Sequence, residues 1–125
     1  MKTLLVLLAV APAILAIGTR FGGGTSHHIP IDENVKGLAR KGIAKVNLEC
    51  NCMYTKKVIK INDAESQVVA GVLYRVYATI GDTKCTRIQP IEDCPLQDYP
   101  KAKDCVFTIW QQPWNGKEEV SYECH

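Results

Sequence analysis

Six cysteines, at positions 50, 52, 85, 94, 105 and 124, constrain this chain more than any other feature. They belong to a sequence that opens Met1-Lys2 and then runs apolar from Leu4 to Ile17. A basic start, an apolar stretch and the small-residue site Ala16-Ile17-Gly18 predict a secretory signal peptide over residues 1–18, with cleavage after Gly18 the first choice and after Ala16 the second. The apolar run is shorter than the ~20 residues of a membrane span and has no stop-transfer flank, so no membrane anchor is expected. In an exported chain, six cysteines read first as a disulfide framework.

Removing residues 1–18 leaves 107 of the 125 residues, enough for a single domain over 19–125. Losing Lys2 leaves 14 basic against 13 acidic side chains, a net charge of +1 with no block of like charge. Nucleic-acid binding and membrane-surface binding therefore gain no electrostatic support.

The two C-terminal cysteines set a register. If Cys105 faces Cys124 across a hairpin, Phe107 falls opposite Tyr122 and Ile109 opposite Val120, all apolar pairs on one face. The turn then centres between Trp114 and Asn115, within Gln111-Gln112-Pro113-Trp114-Asn115-Gly116, where Asn-Gly is itself a turn signal. Cys85 and Cys94 lie close together in a stretch from Gly81 to Asp104 that reads as irregular, broken by Pro90, Pro95 and Pro100. A long loop in a small domain calls for a staple, and pairing these two supplies it.

Upstream, Asp32 is placed as the N-cap of a helix reaching about Glu49. Val35, Leu38, Ala39, Gly42, Ile43, Val46 and Cys50 recur at steps of three and four, giving one apolar stripe to lay on a sheet. Gly42 on that stripe suggests close approach to the sheet. A strand is expected over Tyr54–Asn62, and a second, alternating strictly, over Val72–Ile80. The hairpin joining them passes through Gln67-Val68-Val69-Ala70-Gly71, whose tip is apolar where turns are normally polar. Such a tip suits insertion into a partner; the plainer alternative is a strand end with a bulge at Gly71. Thr19 to His28, with Gly22-Gly23-Gly24, reads as a flexible arm.

These segments together resemble the cystatins, specifically the secreted two-disulfide branch. The likeness rests on Ile29-Pro30-Ile31-Asp32-Glu33-Asn34 before the helix, Gln67-Val68-Val69-Ala70-Gly71, Cys85 and Cys94 in a proline-bearing loop, Cys105-Val106-Phe107, Pro113-Trp114, and Cys124 near the C-terminus. The resemblance implies an α+β cystatin fold, a five-stranded antiparallel sheet wrapped around one long helix. It implies a reversible competitive inhibitor of papain-like cysteine proteases of the cathepsin type, which plugs the active-site cleft and carries no enzyme chemistry. The implied protease-binding residues are Phe21, Gly22, Gly23 and Gly24 in the arm, Gln67, Val68, Val69, Ala70 and Gly71 in the first tip, and Pro113 and Trp114 in the second. The implied disulfide cysteines are Cys85, Cys94, Cys105 and Cys124.

Three departures bear on function. Asn51 falls where some secreted cystatins carry an asparagine that inhibits legumain-type proteases, but Cys50-Asn51-Cys52-Met53-Tyr54 lacks the aspartate of that setting. Cys50 and Cys52 are additional to the four, and the sequence leaves three options open: a buried thiol, a bridge within Cys50-Asn51-Cys52, or a bond between chains. His27 and His28 have no third ligand nearby in sequence, so no metal is expected, nor any cofactor. Ser66 and the histidines lack the context of a catalytic triad. The rival reading is a cystatin-fold binding module without inhibition, whose expected signature is decay of the two tips. A monomer is expected, with a dimer formed by exchange of the helix and first hairpin strand as the other state the fold admits.

Overall fold

In the computed structural model, residues 24–87 and 93–125 are described. In chain order they form β1 (His27–His28), α1 (Glu33–Glu49), β2 (Tyr54–Val69), β3 (Gly71–Thr86), β4 (Lys103–Gln112) and β5 (Lys117–Cys124). The strands make one antiparallel sheet in the order β1-β2-β3-β4-β5, with α1 across one face.

The helix starts where its cap dictates. Asp32 has extended backbone and its carboxylate accepts from the Val35 N–H at 3.1 Å, satisfying one of the free donors of the first turn. The stripe predicted from spacing is the buried face: Val35, Leu38, Ala39, Gly42, Ile43 and Val46. They meet Ala64, Val76, Ala78, Ile80, Phe107 and Ile109 from the sheet, forming one core. A Cβ on Gly42 would run into the Phe107 ring, so the missing side chain lets the helix sit down on the sheet. Cys50 lies at the helix end, its N–H bonded to Val46 O at 2.8 Å, and it is bridged to Cys52 rather than buried in the stripe.

The β4–β5 hairpin has the expected register, with Cys105 facing Cys124, Phe107 facing Tyr122 and Ile109 facing Val120. Disulfides join Cys105 to Cys124 and Cys85 to Cys94. On the loop-entropy model each contributes roughly 3 kcal/mol, a large share of the margin of a small domain.

The first hairpin differs from the sequence reading. β2 does not stop at Asn62 but continues to Val69, and β3 does not stop at Ile80 but continues to Thr86. Register shifts between Tyr54 and Lys56, Val58 and Lys60, and Ile61 and Asp63 each break the period-two pattern that marks a strand. Gly81 and Asp82, which read as the start of the irregular stretch, are inside β3. Ile59 and Pro100 pack where a Gly81 Cβ would stand, and Asp82 pairs with the Lys56 ammonium. The buried Thr83 hydroxyl shares a hydrogen bond with Thr55 at 2.7 Å. The following loop is tied back by Lys84 N–H to Pro95 O and Gln97 N–H to Asp82 O, each at 3.0 Å.

Candidate functional site

Register brings three segments to one end of the sheet. Val69 pairs with Gly71, so the first tip closes around Ala70; Val72 pairs with Gln111, so the second turn, Pro113 to Gly116, lies beside it. On the other side, Gly24 N–H bonds to Val68 O at 2.7 Å, bringing the arm against the same tip. The row runs arm, first tip, second tip.

The first tip requires its glycine. Gly71 has φ of +92°, a region side chains disfavour, and a Cβ there would collide with Gln111 O. Val68 stays outside at 67% exposure, while Val69 beside it is half-buried. In the second turn Trp114 is 59% exposed and stands edge-on to Trp110, ring centroids 6.1 Å apart at 67°. Asn115 holds the turn by accepting from Lys117 N–H at 2.8 Å, and Gly116 supplies the positive φ of 68°. Trp110 Nε1 donates to Ala70 O at 2.7 Å, so the two tips are fastened to each other.

Gln67 does not simply point outward as Val68 does. Its amide donates to Gly24 O at 2.8 Å, and its carbonyl oxygen accepts from Ser26 Oγ at 3.4 Å and Arg75 Nη1 at 3.3 Å. Arg75 also donates to Ser26 Oγ at 3.3 Å. Gln67 thus belongs to the tether of the arm. Ser26, Arg75 and Trp110 were not singled out from sequence, because their roles depend on partners 40 or more residues away.

The arm is also less free than its composition suggests. His27 pairs with Ser66 and His28 with Glu65, and Ile29 N–H bonds to Ala64 O at 3.0 Å, so the chain from Gly24 onward is docked. Phe21, Gly22 and Gly23 lie outside the described residues. His28 does acquire neighbours that sequence did not offer, for its ring and the carboxylates of Asp63 and Glu65 lie within 4.8 Å of one another. Asp63 faces His28 Nδ1 at 3.1 Å, while Glu65 accepts from Tyr77 OH at 3.1 Å with Arg75 at 3.9 Å. The Arg75 cation and the Tyr77 hydroxyl engage Glu65, and the group acts as a polar network fixing β1. Burial, and then the bond to Glu65, push the Tyr77 hydroxyl above its ordinary pKa.

Asn51 is exposed in the link between α1 and β2. Because Tyr54 pairs with Thr86 at the far end of the hairpin, Asn51 lies at the opposite end of the sheet from both tips.

Among the described residues, one helix is laid on an antiparallel sheet, with two apolar hairpin tips and a docked arm in one row, the geometry of a wedge. Residues 23–114 match the family model described as the cystatin domain. The chain is 33% identical to human cystatin-C, covering 94% of this chain and 88% of that one, and 27% identical to cystatin-1 of Chilobrachys guangxiensis, covering 99% and 95%. The crystal structure of dimeric human cystatin F superposes with a TM-score of 0.71 at 29% identity, covering 82% of this chain and 86% of that one. The chain belongs to the cystatin family, whose members are cysteine protease inhibitors and not enzymes.

Proposed function

We propose that this protein is a secreted, reversible, competitive inhibitor of papain-like cysteine proteases. The observation that carries the reading is the row formed by Gly24, the Val68–Gly71 tip and the Pro113–Trp114 turn, joined by the Gly24 and Trp110 hydrogen bonds. In this reading Val68 and Val69 enter the cleft over the catalytic cysteine, Trp114 packs on the primed side, and Phe21 with Gly22 and Gly23 runs along the unprimed subsites. No scissile bond is presented, so inhibition is by occlusion. Exposed apolar tips release water on docking, and tips already fastened together lose little conformational entropy. Residues 1–18 are the leader that directs export, and the inhibitor acts as a monomer.

A binding module that had lost inhibition would be expected to have lost its tips. Retention of Gln67, Gly71, Pro113 and Trp114, each with a defined place at one end, favours the inhibitor. The test is inhibition of papain by the oxidised chain beside Val68→Asp, Trp114→Ala and Asn51→Ala. The first two should raise the inhibition constant by about tenfold or more, as loss of a buried apolar anchor does, and the third should leave it unchanged. Equal inhibition by all four would remove the tips from the mechanism.

A second site directed at legumain-type proteases is also proposed at Asn51. It is supported by the exposure of that residue away from the tips, which would allow two proteases to be held at once. An unchanged inhibition constant toward a legumain in Asn51→Ala would dispose of it.

A further inference from the structure

Between α1 and β2 runs an open groove of about 470 Å³, away from the tips. Its wall is apolar: Ile31, Ala39, Ile43, Val58, Ile59 and Ile61. Ile31 and Ile59 remain 43% and 40% exposed, a cost a solvated surface has no need to bear. The charged residues of the lining are Lys36, Arg40, Lys57 and Lys60, with no carboxylate among the lining residues. Lys36 is paired with Glu33 at 3.3 Å, and Lys57 Nζ donates to Cys94 O at 3.1 Å. Among the described residues, Arg40 and Lys60 have no carboxylate within ion-pair distance. In a chain whose charges nearly balance, an apolar trough edged by two uncommitted cations asks for an anionic, largely apolar ligand.

The edge of β2 also limits what that ligand can be. The outer backbone of Lys56 is capped by Asn47, which accepts from its N–H at 2.8 Å and donates to its carbonyl at 3.0 Å. A register shift between Val58 and Lys60, another from Ile61 to Asp63 at the end of the groove segment, and Lys57 and Lys60 follow, the features with which sheets discourage an added strand. A second copy of the chain would bring the same four cations against these. An acyl chain needs no backbone partner and suits a pocket in which a few polar groups fix one end of an apolar body.

We propose that this groove binds a long-chain fatty acid, the acyl chain lying along Ile31, Ile43, Val58 and Ile61 and the carboxylate meeting Arg40 and Lys60. The site is separate from the protease-binding end, so the liganded protein remains an inhibitor.

The probe is oleate, titrated calorimetrically below its micellar concentration into the disulfide-intact protein, beside the double variant Arg40→Glu/Lys60→Glu and the groove-filling Ala44→Trp, Ala44 being a further lining residue. All the substituted residues are exposed, and amide NMR dispersion verifies each fold independently of papain inhibition. The expected result is one saturable site, weakened at least about tenfold by charge reversal and by Ala44→Trp, with oleyl alcohol binding far more weakly. Absence of saturable binding, equal binding of oleyl alcohol, or binding indifferent to both variants would overturn the proposal. So would saturable capture of an alternating Glu-Val peptide in place of oleate, which would assign the groove to a strand. A ligand-free dimer abolished by Ala44→Trp would likewise assign it to a second copy.

Discussion

The indole N–H of Trp110 donates to the carbonyl of Ala70 at 2.7 Å, so one hairpin holds the tip of the other. Trp110→Phe keeps an aromatic, though smaller, side chain and removes this bond. The net loss in folding stability should be about 1 kcal/mol, read from urea unfolding. Papain dissociation should accelerate by more than that loss alone would suggest, because the tip that the bond orients is no longer preorganised. A dissociation rate equal to wild type would show that the tip holds its shape without Trp110.

Gly71→Ala combines a side chain at φ +92° with a collision against Gln111 O. The strain should cost about 1–3 kcal/mol, seen as a lower urea midpoint at unchanged slope. Inhibition should fall in parallel, since relieving the clash separates the first tip from β4.

Gln67→Ala cuts the side-chain tether to Gly24 and Ser26. The variant should inhibit papain less well, and it should lose little more when residues 19–23 are also deleted. This non-additivity, measured as a double-mutant cycle, is the signature of two changes acting on one element. Additive losses would mean that Gln67 acts on the protease directly.

Glu118 provides the pH dependence. Lys41 Nζ donates to its carboxylate at 2.7 Å, and this bond, joined by one from Gln111 and opposed by burial, holds its pKa below the ordinary 4.5. A depressed carboxylate pKa stabilises the fold at pH above 4.5, and that stabilisation is lost as pH falls through the folded value. The pair is partly solvated, so its contribution is a few tenths of a kcal/mol to about 1 kcal/mol. Glu118→Gln should lower the urea midpoint at neutral pH, and the gap from wild type should close in acid well below 4.5. A gap independent of pH would assign the effect to packing.

The parts legible in the sequence are those governed by unbroken periods and short loops. The α1 stripe follows from steps of three and four, and the Cys105–Cys124 register follows from a single alternating hairpin. The extent of β2 was hidden because three register shifts scramble its alternation. Gly81 and Asp82 read as the start of an irregular stretch because nothing local announces Ile59, Pro100 and Lys56 as their partners. The tips themselves could be read; the bonds that align them could not, because Trp110 meets Ala70, and Arg75 meets Ser26, only after the sheet has formed. The partner of Cys50, left open by sequence, proves to be Cys52.

In the proposed mechanism the aligned tips and arm occlude a papain-like cleft without being cut. The most direct measurement is titration of active-site-calibrated papain with the oxidised protein, using a small fluorogenic substrate and mass analysis of the recovered inhibitor. Stoichiometric inhibition is expected, relieved competitively by substrate and reversed on dilution, with the chain recovered intact. Undiminished papain activity beside a correctly folded chain, or inhibition that requires cleavage at the Val68–Gly71 tip, would contradict it.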